Sequence, residues 1–179
     1  YFDVTKPSDL ENILATNDFN DALLARAKAL QEQIIHSRLT KYNVGWQSWQ
    51  RPKNGKRIIL VPGQVESDAS IKLGAIGVSS NLGLLHAVRQ SNPDAYIVYK
   101  PHPDVQAGLR SQGLNEYQAV DFCDEQVSDI TMGALLCQVD EVHVMTSLTG
   151  YEALIRGLKV VCYGMPFYAG WGLTEDLFS

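Results

Sequence analysis

The sequence predicts an α/β fold in which helices cover a parallel β-sheet. Short runs dominated by apolar side chains alternate with segments of helical periodicity, as in consecutive β-α-β units. The runs are residues 57–63, 95–99, 141–145 and 159–163. The first is continuously apolar, which is typical of a strand buried on both faces of a sheet. Since no run shows the alternating pattern of a hairpin, the predicted class is a Rossmann-like parallel sheet.

The segment before the first run is predicted to be helical. Apolar residues recur at helical spacing from residue 17 or 18 to about residue 42, which predicts one long amphipathic helix. Its apolar stripe is expected to pack on the core of the chain itself. Ser8 and Glu11 have the spacing of a capping box at the start of a shorter, earlier helix. The predicted organisation is therefore an N-terminal helical segment with a tryptophan-bearing loop at 1–56 and a Rossmann-like domain at 57–179.

Two tryptophans, Trp46 and Trp49, lie three positions apart in that loop. They could stack on a sugar or a base, or fasten the loop to the core. The second interpretation is favoured because aromatic side chains bury a large area wherever they fit.

Composition excludes several functions. The 179 residues carry a formal net charge of -5 and no basic stripe, so no nucleic acid is expected as a partner. No apolar run approaches the roughly 20 residues that span a bilayer, which predicts a cytoplasmic protein. Cys123, Cys137 and Cys162 lack CxxC spacing and are predicted to be buried thiols in a reducing compartment. No HExxH motif or His/Cys/Asp cluster appears, so no metal is predicted. The chain begins without Met, and we expect it to be a piece of something longer.

Polar side chains cluster where three of the predicted strands end. In chain order the clusters are Gln64, Glu66 and Asp68; then His102; then Thr146, Ser147 and Thr149. Because the carboxyl ends of parallel strands lie at the same edge of a sheet, we expect these clusters to converge there.

Each cluster has a functional and a structural interpretation. His102, between Pro101 and Pro103, is expected on a stiff loop, where it meets an anion or belongs to an ordinary turn. The turn at 146–150 suits a phosphate or carboxylate, or it only caps the helix that follows. Glu66 and Asp68 are the residue types of sugar chemistry, one as nucleophile and one as proton donor or base, although acidic residues more often solvate loops or cap helices.

Four stretches together carry a family resemblance. They are residues 64–70 (QVESDAS), 99–104 (YKPHPD), 146–154 (TSLTGYEAL) and 162–174 (CYGMPFYAGWGLT). In this order and spacing they resemble the capsule polysaccharide synthesis proteins of the KpsC type, which are retaining β-Kdo glycosyltransferases of Gram-negative capsule assembly. The likeness runs from about Lys56 to Thr174.

The resemblance implies the nucleotide-sugar-binding half of a GT-B-like fold. Such an enzyme uses CMP-Kdo as the donor, with no other cofactor, to build the β-Kdo linker of a lipid-anchored capsular polysaccharide. It implies that Asp68 and Glu66 are catalytic; Asp68 is favoured as the nucleophile and Glu66 as the acid/base, with their order left open. The donor-binding residues that it implies are Gln64, Lys100, His102, Ser147, Leu148, Thr149, Gly150 and Glu152.

A GT-B enzyme needs two Rossmann-like halves, and this chain supplies one. The resemblance therefore implies partners: a CMP-sugar donor, a glycolipid acceptor, and the rest of the transferase or other capsule assembly proteins, with peripheral contact at the inner membrane left open. Two alternatives remain. One is a non-catalytic Rossmann-like assembly module of a capsule complex, and the other is a GT-B enzyme that uses another nucleotide sugar.

Overall fold

The fold is built on a six-stranded parallel sheet. The computed structural model describes residues 6–178. Its strands, in chain order β1 to β6, are Ile58–Pro62, Tyr96–Lys100, Glu125–Gln126, Glu141–Val144, Lys159–Cys162 and Glu175–Asp176. Their spatial order is β3-β2-β1-β4-β5-β6, and every neighbouring pair is parallel. The predicted Rossmann-like α/β class is confirmed.

Seven α-helices lie within residues 6–178. In chain order α1 to α7 they are Asp9–Thr16, Asp21–His36, Ala69–Gly74, Asn81–Ser91, Pro103–Gln106, Met132–Leu136 and Leu148–Ile155. A 3-10 helix, Glu116–Asp121, precedes β3. No helix of the described part of the chain is long and apolar enough to cross a membrane.

Two apolar clusters sandwich the sheet. Alternate residues of a strand point to opposite faces, so β1 sends Ile58 and Leu60 into one cluster and Ile59 and Val61 into the other. Helices α6 and α7 close the first face, and α4 closes the second through Leu84, Leu85 and Val88. Burial on both faces explains why the central strands are apolar nearly throughout.

The N-terminal helices do not pack as the sequence predicts. The long helix expected from residue 17 or 18 to 42 is shorter, because Asn20 caps its start and the chain turns at Arg38 with a φ of 52°. The expected packing on the core is also wrong, since neither α1 nor α2 has a buried residue. Leu24 and Leu30 are 53% and 55% exposed. One hydrogen bond, from Gln31 Nε2 to the Ile155 carbonyl at 2.5 Å, joins α2 to the sheet domain.

Several smaller differences concern short elements. Strands β3 and β6 and helices α3 and α5 were not predicted, and α7 begins at Leu148 rather than at Tyr151.

The capping box of α1 is confirmed, with Ser8 and Glu11 exchanging hydrogen bonds with each other's backbone. Trp49 is buried, as favoured above, whereas Trp46 is 84% exposed.

Candidate functional site

The three polar clusters converge at one edge of the sheet. Strands β2, β1 and β4 are neighbours and parallel, so their carboxyl ends lie side by side. The exits of β1 and β2 are in direct contact, with the Gly63 N–H donating to the Lys100 carbonyl at 2.8 Å. A Cβ at Gly63 would lie 3.0 Å from His102 N, so the close approach requires glycine there. This edge is where open α/β sheets bind ligands.

Gln64 ties the exits of β1 and β4 together. Its side-chain Oε1 accepts from Thr146 N–H at 2.9 Å, and its Nε2 donates to Thr146 Oγ1 at 3.0 Å. Its backbone N–H and carbonyl both pair with the Asn81 side chain, each at 2.8 Å. Gln64 and Asn81 are buried. Gln64 therefore lies in the predicted site, but both polar atoms of its amide already bond to Thr146 and position the turn that leads into α7.

The N-terminus of α7 forms one wall of the site. Ser147 caps the helix, its Oγ accepting from Thr149 N–H at 3.2 Å, and the Tyr168 hydroxyl donates to the Ser147 carbonyl. Burial raises the pKa of Tyr168 well above its usual value, so the hydroxyl remains a donor. Leu148 is half-buried and Gly150 is buried. Because the first N–H groups of a helix have no intrahelical acceptor, this end still suits an anion.

The two carboxylates lie beyond β1 and cap different helices. Asp68 is exposed, and its Oδ1 accepts from Ser70 N–H at 2.8 Å at the start of α3. The hydrogen bonds from Ser70, and then nearby cations, lower the Asp68 pKa, so the carboxylate is ionised at neutral pH. The Glu66 carboxylate turns toward α4, where Oε1 accepts from Asn81 N–H at 2.7 Å. The capping interpretation therefore holds for both carboxylates, but Asp68 remains exposed to solvent.

His102 caps a helix rather than lying on a rigid loop. Its Nδ1 accepts from Asp104 N–H at 3.1 Å at the start of α5. Burial lowers the His102 pKa, which favours the neutral ring. Because Nδ1 is the acceptor, the proton of the neutral ring lies on Nε2, which is thereby a hydrogen-bond donor.

Lys100 and Glu152 are both buried. The Lys100 ammonium donates to the Ser128 carbonyl at 2.7 Å, and burial lowers its pKa. The Glu152 carboxylate accepts from Lys41 N–H at 2.6 Å, and burial raises its pKa. Glu152 thus anchors a neighbouring segment, whereas Lys100 is a largely desolvated cation at the end of β2.

Sequence reasoning missed that neighbouring segment, the 40–43 turn. Buried Thr40 closes the turn by donating its N–H to Asn43 Oδ1 at 3.1 Å. The Tyr42 ring then meets His102 edge-on, with ring centroids 5.5 Å apart. The turn precedes β1 by a long loop, and no local periodicity or motif indicates that it returns to the strand exits.

A buried carboxylate below the site was missed as well. Glu116 accepts from the Tyr99 hydroxyl and, at 2.9 Å, from Gly113 N–H. Gly113 in turn lies against the Glu66 carboxylate. Glu116 therefore braces the loop that covers Glu66.

No group of three or more His, Cys, Asp and Glu side chains within residues 6–178 could hold a metal ion. All three cysteines are free. Cys162 is buried at the end of β5, as predicted, but Cys123 is only half-buried and Cys137, which follows the last residue of α6, is exposed, so the predicted burial is wrong for Cys137.

A family model described as "Capsule polysaccharide biosynthesis protein" matches residues 1–178. This chain belongs to that family. The match begins well before Lys56, where the likeness was expected to start. The capsule polysaccharide modification protein LipA of Neisseria meningitidis serogroup B is 49% identical over 177 residues, which are 99% of this chain and 25% of LipA. The lipopolysaccharide-processing protein LpsZ of Rhizobium meliloti is 41% identical, and the alignment covers 98% of this chain and 41% of LpsZ. The chain thus spans from a quarter to two fifths of these relatives.

Two solved structures share the fold of this family member. Thermosulfurimonas dismutans KpsC, beta Kdo 2,7 transferase, is 46% identical with a TM-score of 0.81, over 98% of this chain and 53% of that one. Thermosulfurimonas dismutans KpsC, beta Kdo 2,4 transferase, is 28% identical with a TM-score of 0.80, over 97% of this chain and 55% of that one. The predicted resemblance to KpsC-type proteins is confirmed.

Proposed function

We propose that this chain is the donor-binding half of a glycosyltransferase that transfers Kdo from CMP-Kdo with retention. The product is the β-Kdo linker of a lipid-anchored capsular polysaccharide. The observation that carries the proposal is the convergence of ionised Asp68, neutral His102 and the α7 N-terminus at one sheet edge. The fold shared with two Kdo transferases supports the sugar assignment.

Retention follows from two successive displacements. In the first, the Asp68 carboxylate attacks the anomeric carbon, and the bond from that carbon to the phosphate oxygen breaks with its electron pair leaving on CMP. In the second, the acceptor hydroxyl attacks the same carbon, the bond to Asp68 breaks, and Glu66 takes the hydroxyl proton. Asp68 is favoured as the nucleophile because it is exposed and ionised, whereas the Glu66 carboxylate turns toward α4 and Gly113.

The remaining site residues bind or position the donor. His102 donates from Nε2 to the leaving phosphate, and the α7 N-terminus at Ser147, Leu148, Thr149 and Gly150 receives the phosphate or the sugar carboxylate. Lys100 adds a fixed positive charge beneath the donor. Gln64 and Glu152 are positioning residues, because their polar atoms already hold the α7 turn and the 40–43 turn.

The proposed setting follows from the donor and acceptor. The proposed glycolipid acceptor lies in a membrane and the proposed CMP-sugar donor is water-soluble, so the site is proposed to work in the cytoplasm at the surface of the inner membrane. The rest of the transferase supplies the acceptor side.

Nucleotide binding tests the donor class. Calorimetric titration of the full-length protein is expected to show binding of CMP in preference to UDP. His102→Ala should weaken CMP binding about tenfold, the value of one hydrogen bond to a charged group. His36→Ala, on the exposed face of α2, is the matched control. A folded protein without CMP affinity contradicts the proposal, and equal or tighter UDP binding favours a different nucleotide sugar.

Turnover separates an enzyme from an assembly module. Asp68→Asn removes the nucleophile but retains a good helix cap, so α3 should form and transfer should be lost. Asp94→Asn, an exposed substitution in the turn before β2, is the control. Transfer at the wild-type rate by the Asp68→Asn protein would support the non-catalytic module instead.

The linkage is proposed to be the 2,7 type. This chain is 46% identical to the beta Kdo 2,7 transferase and 28% identical to the 2,4 transferase at nearly equal TM-scores. NMR linkage analysis of the product of the full-length protein is expected to show a 2,7 bond; a 2,4 bond contradicts this assignment.

A further inference from the structure

The 40–43 turn brings a cation to the strand exits. Lys41 N–H is held by Glu152 Oε1 at 2.6 Å, and the Tyr42 ring meets His102 at 5.5 Å between centroids. The Lys41 ammonium lies 4.8 Å from the centroid of the Tyr42 ring. Its position relative to His102 is therefore set by a buried anchor and an aromatic contact, although the side chain itself is exposed.

A second cation, Arg110, follows α5, the helix that His102 caps. After α5, the N–H groups of Leu109 and Arg110 both donate to the Asp104 carbonyl, at 2.8 and 3.0 Å. These bonds fold the chain back onto the helix that His102 caps. The Arg110 side chain is exposed.

The two cations act on the same two residues. Burial is the main cause of the lowered His102 pKa, and both Lys41 and Arg110 lower it further. Ser70 is the main cause of the lowered Asp68 pKa, and the same two cations add to it. Both therefore lie within electrostatic range of both site residues. Within residues 6–178, neither side chain makes a hydrogen bond or a salt bridge.

The donor of the proposed function presents two negative groups, the phosphodiester and the carboxylate of an acidic sugar. Buried Lys100 is already engaged with Ser128. Within the described part of the chain, Lys41 and Arg110 are cations that act on both His102 and Asp68 and that have no ion-pair partner. We propose that Lys41 and Arg110 form a cation pair that holds the two negative groups of an acidic nucleotide sugar against His102. This inference rests on the proposed function and assigns the pair to recognition of the donor's charge.

The proposed pair has two consequences for donor recognition. A CMP-linked neutral sugar lacks the carboxylate, so the pair discriminates in favour of an acidic sugar on the same nucleotide. The positive field also favours the charge that builds up on the phosphate as it leaves. An arginine suits a carboxylate or phosphate through its planar fork, and a lysine acts as a point charge.

Titration of the full-length protein with CMP-Kdo, CMP and cytidine tests the pair. Lys41→Gln and Arg110→Gln are each expected to weaken CMP-Kdo binding about tenfold, as for loss of one charged contact. Cytidine has neither anion, so its affinity should change less than about twofold. Lys41→Arg should retain most of the wild-type affinity for CMP-Kdo. Lys53→Gln, exposed in the loop before β1, is the control for general loss of positive charge.

The outcomes separate the pair from the proposed function. If the wild-type protein binds CMP-Kdo and both glutamine variants bind it equally well, the cation pair is wrong and the function stands. Equal weakening of cytidine and CMP-Kdo also overturns it, because the residues would then support the fold or the base. If the folded wild-type protein binds none of the three ligands, the proposed function fails and the pair fails with it.

Discussion

Gly150 illustrates at the scale of one residue how Tyr168 packs against the N-terminus of α7. A Cβ there would lie 2.7 Å from Cζ of Tyr168, a ring that is 4% exposed and cannot easily move. Gly150→Ala is therefore expected to destabilise the protein by about 1–3 kcal/mol, the usual cost of overpacking. It should also weaken CMP binding, because Tyr168 holds the Ser147 carbonyl. Urea denaturation and calorimetry measure the two effects.

Removing the Tyr168 hydroxyl provides the control. The hydroxyl is the group nearest to the added Cβ. Tyr168→Phe in the Gly150→Ala background should recover part of the lost stability, whereas Tyr168→Phe alone should destabilise because the Ser147 carbonyl loses a donor. Simple additivity of the two changes would contradict the proposed clash.

At the scale of elements, α4 and α2 both have apolar stripes but differ in burial. Leu84 of α4 is fully buried, and Leu30 of α2 is 55% exposed. Leu84→Ala is expected to cost about 2–5 kcal/mol through lost burial and a cavity. Leu30→Ala is expected to change the free energy of unfolding by less than about 0.5 kcal/mol. Urea denaturation measures both; a comparable loss in the two variants would contradict the observed exposure of α2.

The same comparison shows what a sequence can reveal about elements. The four central strands were predicted because burial on both faces requires an apolar run, such as that of β1. Strands β3 and β6 are two polar residues each, too short to have a period. The apolar stripe of α2 predicts a helix correctly, but periodicity alone does not show whether another part of the protein packs on that stripe.

The candidate site likewise has one part that could be predicted from the sequence and one part that could not. Asp68, His102 and Ser147 follow strands whose order the parallel topology constrains, so their convergence could be predicted. The roles of Lys41 and Tyr42 could not, because they depend on a hydrogen bond to Glu152, 111 positions away in the chain. Such contacts arise from tertiary packing and leave no local pattern.

At the scale of the whole molecule, one buried histidine, His143, lies beside a group of ion pairs on the sheet. His143 on β4 is 3% exposed; its Nε2 lies 3.2 Å from Glu141 Oε2, and its Nδ1 lies 3.4 Å from the Tyr163 hydroxyl. Arg57 and Lys159 also face this carboxylate. Burial nevertheless lowers the His143 pKa. The folded state therefore binds fewer protons here than the unfolded state.

The free energy of unfolding is accordingly expected to decrease as the pH is lowered. A histidine whose folded pKa is lowered contributes fully above its unfolded pKa of about 6.5, and its contribution is lost as the pH falls below that value. His102 has a shift of the same direction and acts in the same window. Between pH 7.5 and 5, the free energy of unfolding should decline by at most about 1.4 kcal/mol per pH unit for each histidine. His143→Gln should reduce that slope, while His36→Gln on exposed α2 should not. Urea denaturation at several pH values measures the slopes. The Arg51 guanidinium keeps the Asp140 pKa low, so the stability that Asp140 contributes is lost only below about pH 4, outside this window. Parallel wild-type and His143→Gln curves above pH 5 would therefore contradict the assignment of the slope to His143.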